Sequence, residues 1–281
     1  MTADPDIAIA GRPRDVQANG LRHRVLEYPA EGRATARAEV VMLPGITSPA
    51  ATTDFLARPI AARGFRVWSP DIRGRGDSEV PPAGGYAMTD YAADVAGLVQ
   101  ALGLPAPIVI GHSMGARIAA AHAVLHGGAD HPLLVLVDPP VSGPGRAPYP
   151  TSRDSFLAQL HEAKAGTTVE AVRRFYPKWP ERELRLRLQV LPSCDETAVL
   201  ESYEGFHTED FFDHWRRVTP PAVLIRGADS PVVPPGAAAE LAAANPAVPV
   251  VAVPAAGHMV PWDNFEGFIA ELLPRLEAAA P

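Results

Sequence analysis

Short apolar runs alternate with longer helix-length stretches along most of this chain. The runs fall at Val40–Leu43, Phe65–Trp68, Pro107–Ile110, Leu133–Val137, Ala222–Ile225 and Val248–Val253, are rich in valine and isoleucine, and end in turn residues. Segments this short and this apolar read as strands buried on both faces, the habit of parallel sheet. Between them lie Ala51–Arg63, Thr89–Leu102, Met114–His126, Pro235–Ala244 and Asn264–Ala278, each long enough for a helix. The alternation predicts a mostly parallel sheet with helices on both faces. Near the start, Val16–Tyr28 alternates only weakly, and Asn19-Gly20 inside it has the composition of a tight hairpin turn at a sheet edge.

One region breaks the pattern. From Pro139 to Thr219 no strand-like run occurs, while Ser155–Leu160 and Glu183–Leu188 have helical patterns. A structureless loop of that length would be exceptional, so the segment reads as a helical cap inserted between two strands. The expected organisation is a core of residues 1–138 and 220–281 with a cap of residues 139–219.

Composition narrows the class. Of 281 residues, 47% are hydrophobic, enough for a large core without metals or disulfides. The single cysteine, Cys194, cannot form an internal disulfide and suits a reducing compartment. The opening stretch MTADPDIAIAGRPRD lacks a basic region followed by an apolar run, so no secretory signal is expected and the location is read as cytoplasmic. No apolar run reaches membrane-spanning length, so no membrane partner is expected. The net charge of −7, without a lysine or arginine block, argues against nucleic acid as a partner. No His-Glu-x-x-His or paired-cysteine site appears, and neither metal nor cofactor is expected.

Chemistry enters at Gly111-His112-Ser113-Met114-Gly115. A strand precedes Ser113, a helix follows it, and glycines stand two residues to either side. This is the pattern of a nucleophile elbow, the strand-to-helix turn of α/β hydrolases that lifts a serine hydroxyl clear of the sheet. Acyl transfer needs fixed N–H donors for the developing oxyanion. The N–H of Met114 is one candidate, and that of Ile46, in Leu43-Pro44-Gly45-Ile46-Thr47, is the other. Of nine histidines, His258 is the last; it follows the last strand and precedes the last helix, as the order serine, acid, histidine requires. His112 is expected to point away from the serine, His122 and His126 to be structural, and His207 is a candidate to face substrate. Two acids satisfy the order: Asp138, at the carboxyl end of the strand after the elbow, and Asp229, in the loop after the next strand. Asp263 with Glu266 has the spacing of a helix-capping box and is not assigned to catalysis.

At this point the residues resemble one family. Leu43–Ala50, Arg73-Gly74-Arg75-Gly76, Gly111–Arg117, Leu136–Arg146 and Gly257–Asp263 with Glu266-Gly267-Phe268 are similar to signatures of the N-formylmaleamate deformylase family of α/β hydrolases. The resemblance covers nearly the whole chain, with the cap most divergent. It implies an α/β-hydrolase fold, a catalytic set of Ser113, Asp138 and His258 with Asp229 in reserve, and a small anionic N-acyl amide as partner. The substrate implied is N-formylmaleamate, cleaved to maleamate and formate. A carboxylate substrate calls for a cation, and arginine offers two parallel hydrogen bonds. Arg73, Arg75, Arg117 and Arg146 lie inside the resembling stretches, and Arg117, Arg146 and His207 are taken as substrate-binding candidates. Other readings are an enamide hydrolase acting on an acetamidomethylene dicarboxylate, an esterase or carbon–carbon bond hydrolase, and a non-catalytic binding module on the same fold.

Overall fold

The computed structural model describes residues 7–127 and 131–280. An eight-stranded sheet runs in the order β1-β2-β4-β3-β5-β6-β7-β8. Its strands are β1 (Arg12–Ala18), β2 (Leu21–Tyr28), β3 (Glu39–Leu43), β4 (Arg66–Pro70), β5 (Ile108–His112), β6 (Leu134–Val137), β7 (Ala222–Gly227) and β8 (Val250–Val253). β1 and β2 form the edge hairpin around Asn19-Gly20, β2 pairs antiparallel with β4, and every other pairing is parallel. The helices are α1 (Asp54–Ala61), α2 (Met88–Ala101), α3 (Met114–His122), α4 (Arg153–Ala165), α5 (Val169–Phe175), α6 (Glu181–Val190), α7 (Glu196–Thr208), α8 (Phe211–Trp215), α9 (Pro235–Ala244), α10 (Val260–Asp263) and α11 (Phe265–Ala279).

The wholly apolar strands have a simple physical reason. Successive side chains point to opposite faces, and both faces are covered. Val40, Ile108, Ile110 and Val135 pack with Ile60 of α1 and Phe268, Leu272 and Leu276 of α11. Their neighbours Val41, Val109, Leu134 and Leu136 pack on the other side with Val95 of α2 and Ile118 of α3. Each strand therefore feeds two cores.

Element ends differ from expectation in a few places. The first helix starts as a 3-10 turn over Ala50–Thr53, and the helix after Ser113 ends at His122 and continues as a π-turn through Ala123–Gly127. β8 begins at Val250, because Pro249 has no N–H to give to a ladder. α4 to α8 fill the interval between β6 and β7. No helix among the described residues is long and apolar enough to cross a membrane.

The inserted helices are tethered to the core by a buried carboxylate. Asp54, on α1, is fully buried and accepts from Arg182 Nη2 of α6 at 2.6 Å, Tyr28 Oη of β2 at 3.1 Å and Ala10 N at 2.8 Å. A buried carboxylate is tolerable only when its oxygens are filled by donors. Asp54→Ala leaves those donors unsatisfied and is expected to cost about 2–3 kcal/mol, discounted because Arg182 reaches water. Chemical denaturation measures this, and Arg182→Met should cost less.

Candidate active site

Ser113 sits between β5 and α3 with φ 57° and ψ −121°, a conformation rare for a residue with a side chain. Its N–H is held by Val137 O at 2.8 Å. Close packing fixes the turn. A Cβ on Gly111 would stand 2.1 Å from Gly115 O, and one on Gly115 would stand 2.1 Å from Leu43 O. Both positions need glycine because backbone, which cannot rotate away, occupies the space.

His258 lies in the loop between β8 and α10, with Nε2 2.9 Å from Ser113 Oγ. Its Nδ1 is 2.8 Å from Asp138 Oδ2. The ionised carboxylate can only accept, so Nδ1 carries the proton and Nε2 is free to accept from the serine hydroxyl. Asp138 follows β6, is fully buried and has φ 47°. Its Oδ1 also accepts from Gly227 N at 3.1 Å, and Oδ2 from Ser230 Oγ at 2.5 Å. The structure thus brings Ser113, His258 and Asp138 into one hydrogen-bonded series. Asp229 stands apart. It is exposed at the wall of the same cavity, its N–H bonds Ala256 O at 2.9 Å, and the His258 ring pairs with Asp138 rather than with its carboxylate.

The Ile46 loop lies against the nucleophile: a Cβ on Gly45 would be 3.8 Å from Ser113 Oγ. Among the described residues, the N–H groups of Ile46 and Met114 meet no acceptor. Free N–H groups at a helix start and in an adjoining loop suit an oxyanion. Buried cations hold the loop in place. Arg75 Nε donates to Ile46 O at 2.9 Å, and Arg187 donates to Thr47 O and, at 2.7 Å, to Thr47 Oγ1. Asp71 accepts from Ala50 N at 2.6 Å, and its burial pushes the carboxyl up to about 6.

Two neighbours brace His258. His112 Nε2 donates to His258 O at 2.9 Å, and burial pushes its imidazole down to about 3, so it stays neutral. Asp263 accepts from Gly257 N at 2.8 Å. That corrects the capping-box expectation: Asn264 caps α11 by accepting from Gly267 N at 2.9 Å, while Asp263 turns back to the histidine loop.

A cavity of about 510 Å³ opens over Ser113 and His258. Tyr149, Phe156, Tyr176 and Trp179 give it aromatic walls, and Lys178 and Arg187 supply cations. None of Arg117, Arg146 and His207 lines it, which corrects their expected role. Arg117 is buried against backbone, donating to Pro140 O, Ser142 O and Glu209 O, and burial pushes it down to about 10. Arg146 pairs with Asp210 at 3.2 Å and Glu240 at 2.8 Å, 3.7 Å over the Phe212 ring. His207 lies behind the wall, with Nδ1 donating to Tyr203 O at 3.1 Å and Nε2 accepting from Tyr149 N at 3.4 Å. Arg73 is locked to Asp94. Arg187 had a signal in the sequence: it stands on the apolar stripe of Leu184 and Leu191, where an arginine must find buried partners. Among the described residues no cluster is arranged to hold a metal ion.

The arrangement can activate a serine, fix the imidazole tautomer and receive an oxyanion. Asp138→Asn should lower turnover of an activated ester such as p-nitrophenyl acetate on the order of 10³-fold or more, and Asp229→Asn by less than about threefold. Ser230→Ala, which removes one donor from Asp138, should cost about tenfold, with partial recovery in Ser230→Thr.

Residues 40–265 match the family model described as the alpha/beta hydrolase fold. The chain is 38% identical to N-formylmaleamate deformylase of Pseudomonas putida over 256 residues, covering 91% of this chain and 93% of that protein. It is 29% identical to 2-(acetamidomethylene)succinate hydrolase of Mesorhizobium japonicum, covering 77% and 80%. The crystal structure of the N-formylmaleamic acid deformylase from Pseudomonas putida S16 superposes with a TM-score of 0.84 at 37% identity, covering 92% of this chain and 99% of that one. With the elbow, the sheet order and these likenesses in agreement, the chain belongs to the α/β-hydrolase family, in the group that contains N-formylmaleamate deformylase.

Proposed function

We propose that this protein is a serine hydrolase that cleaves the amide bond of a small anionic N-acyl substrate, with N-formylmaleamate, giving maleamate and formate, as the leading candidate. The observation that carries the reading is the series Ser113–His258–Asp138 beneath a cavity that also presents Lys178 and Arg187. His258 Nε2 takes the proton of Ser113 as Oγ adds to the formyl carbon. The oxyanion is received by the N–H groups of Ile46 and Met114. His258 then gives its proton to the leaving nitrogen, maleamate departs, and water attacks the formyl ester to release formate. Residues 139–219 act as the cap: Tyr149, Tyr176 and Trp179 come from this segment and wall the cavity over the reacting carbon.

The carboxylate of the substrate is assigned to Lys178 and Arg187. Lys178 is an exposed residue at the cavity wall, whereas Arg187 is buried and also holds Thr47. The cavity has room for an acyl group larger than formyl, which supports an acetamidomethylene dicarboxylate as the second substrate to assay.

Formate release from N-formylmaleamate is the test. Ser113→Ala should abolish it, on the order of 10⁴-fold or more. Lys178→Gln should raise KM several-fold with kcat retained. Arg187→Gln should lower kcat as well, because it loosens the oxyanion loop. Strong turnover of simple esters with none of N-formylmaleamate would overturn the substrate assignment.

A further inference from the structure

We propose that Tyr149 is a further catalytic residue, whose phenolic oxygen accepts the N–H of the scissile amide as the nitrogen becomes pyramidal. The inference rests on the amide-hydrolase reading above and deepens it. Tyr149 Oη lies 3.3 Å from His258 Nε2, the atom that hands the proton to the leaving nitrogen, and is within reach of the Ser113 hydroxyl. The leaving nitrogen must sit beside Nε2 to collect that proton, and so beside Tyr149.

Hydrogen-bond accounting gives the phenol its role. Its burial, next to the charge of Asp138, pushes the hydroxyl well above the usual phenol range, so it keeps its proton throughout the working pH range. That proton can go to Ser113 Oγ, whose own proton goes to His258 Nε2. No other described residue gives the phenolic oxygen a hydrogen bond, and Tyr149 lines the cavity. When Ser113 Oγ adds to an amide carbon, the nitrogen lone pair must turn toward His258, and the N–H turns elsewhere. Deep in the cavity beside buried Tyr149, an N–H left without an acceptor costs free energy. An ester has no such N–H.

The side chain is well fixed for this task. The ring lies 5.1 Å from that of Phe206 and 6.0 Å from that of Phe156, and His207 Nε2 holds the Tyr149 backbone N–H. His207, expected to touch substrate, instead supports the residue that does.

Tyr149→Phe keeps the ring and removes only the oxygen. The experiment measures kcat/KM of wild type and Tyr149→Phe on N-formylmaleamate and on p-nitrophenyl acetate. The expected result is a loss of about 10- to 100-fold on the amide and less than about threefold on the ester. Equal losses on both would show that the hydroxyl merely positions His258, and would overturn the proposal; so would an unchanged amide rate. Wild-type enzyme that cleaves the ester and not the amide would sink the amide reading, and this role with it.

Discussion

The site is organised around one buried charge. Asp138 has no exposed surface, and an ionised carboxylate there is tolerable only because fixed donors fill its oxygens. Gly227 N–H at the end of β7, the Ser230 hydroxyl in the loop after it and His258 Nδ1 in the loop after β8 converge on it. Its placement determines the rest: Nδ1 must carry the proton, Nε2 must accept, and Ser113 must lie where Nε2 points. Ser230 occupies the loop in which Asp229 competed for the same role. In this chain that loop donates to the acid rather than supplying it.

A second constraint acts on the oxyanion side. The elbow works only if α3 and the Ile46 loop approach to near contact, which Gly115 permits. Three charged side chains then fix the loop: Arg75 at Ile46 O, Arg187 at Thr47 and Asp71 at Ala50 N. Preorganised donors stabilise an oxyanion without reorganising at the moment of reaction, so this bracing belongs to the chemistry as much as to the fold.

Much of this was legible in the sequence. Strands such as Val40–Leu43 stood out because each alternate residue feeds a different core, leaving no polar face. Ser113 and the Asn19-Gly20 turn could be placed because tight turns admit few residue types, and His258 because it follows the last strand in the order serine, acid, histidine. The arginines could not be sorted. Arg75 and Arg117 sit in stretches that suggested an anion, but a guanidinium serves a loop carbonyl as well as a carboxylate, and both hold backbone oxygens. Lys178 and Tyr149 come from loops of the inserted segment and Arg187 from α6, where long-range packing decides what faces the cavity; of the three, Arg187 alone left a local sign, on the apolar stripe of its helix. The exchange of roles between Asp263 and Asn264 is similar: adjacent residues of nearly equal capping ability were separated by the histidine loop, which one of them had to support.

The central claim is that Asp138 is the partner of the His258 imidazole. Proton NMR of the histidine Nδ1–H reads that contact directly, because a proton shared with a buried carboxylate resonates far downfield and exchanges slowly. The resonance should be present in the wild type and in Asp229→Asn, and absent in Asp138→Asn and His258→Gln. Its survival in Asp138→Asn, or its loss in Asp229→Asn, would contradict the account.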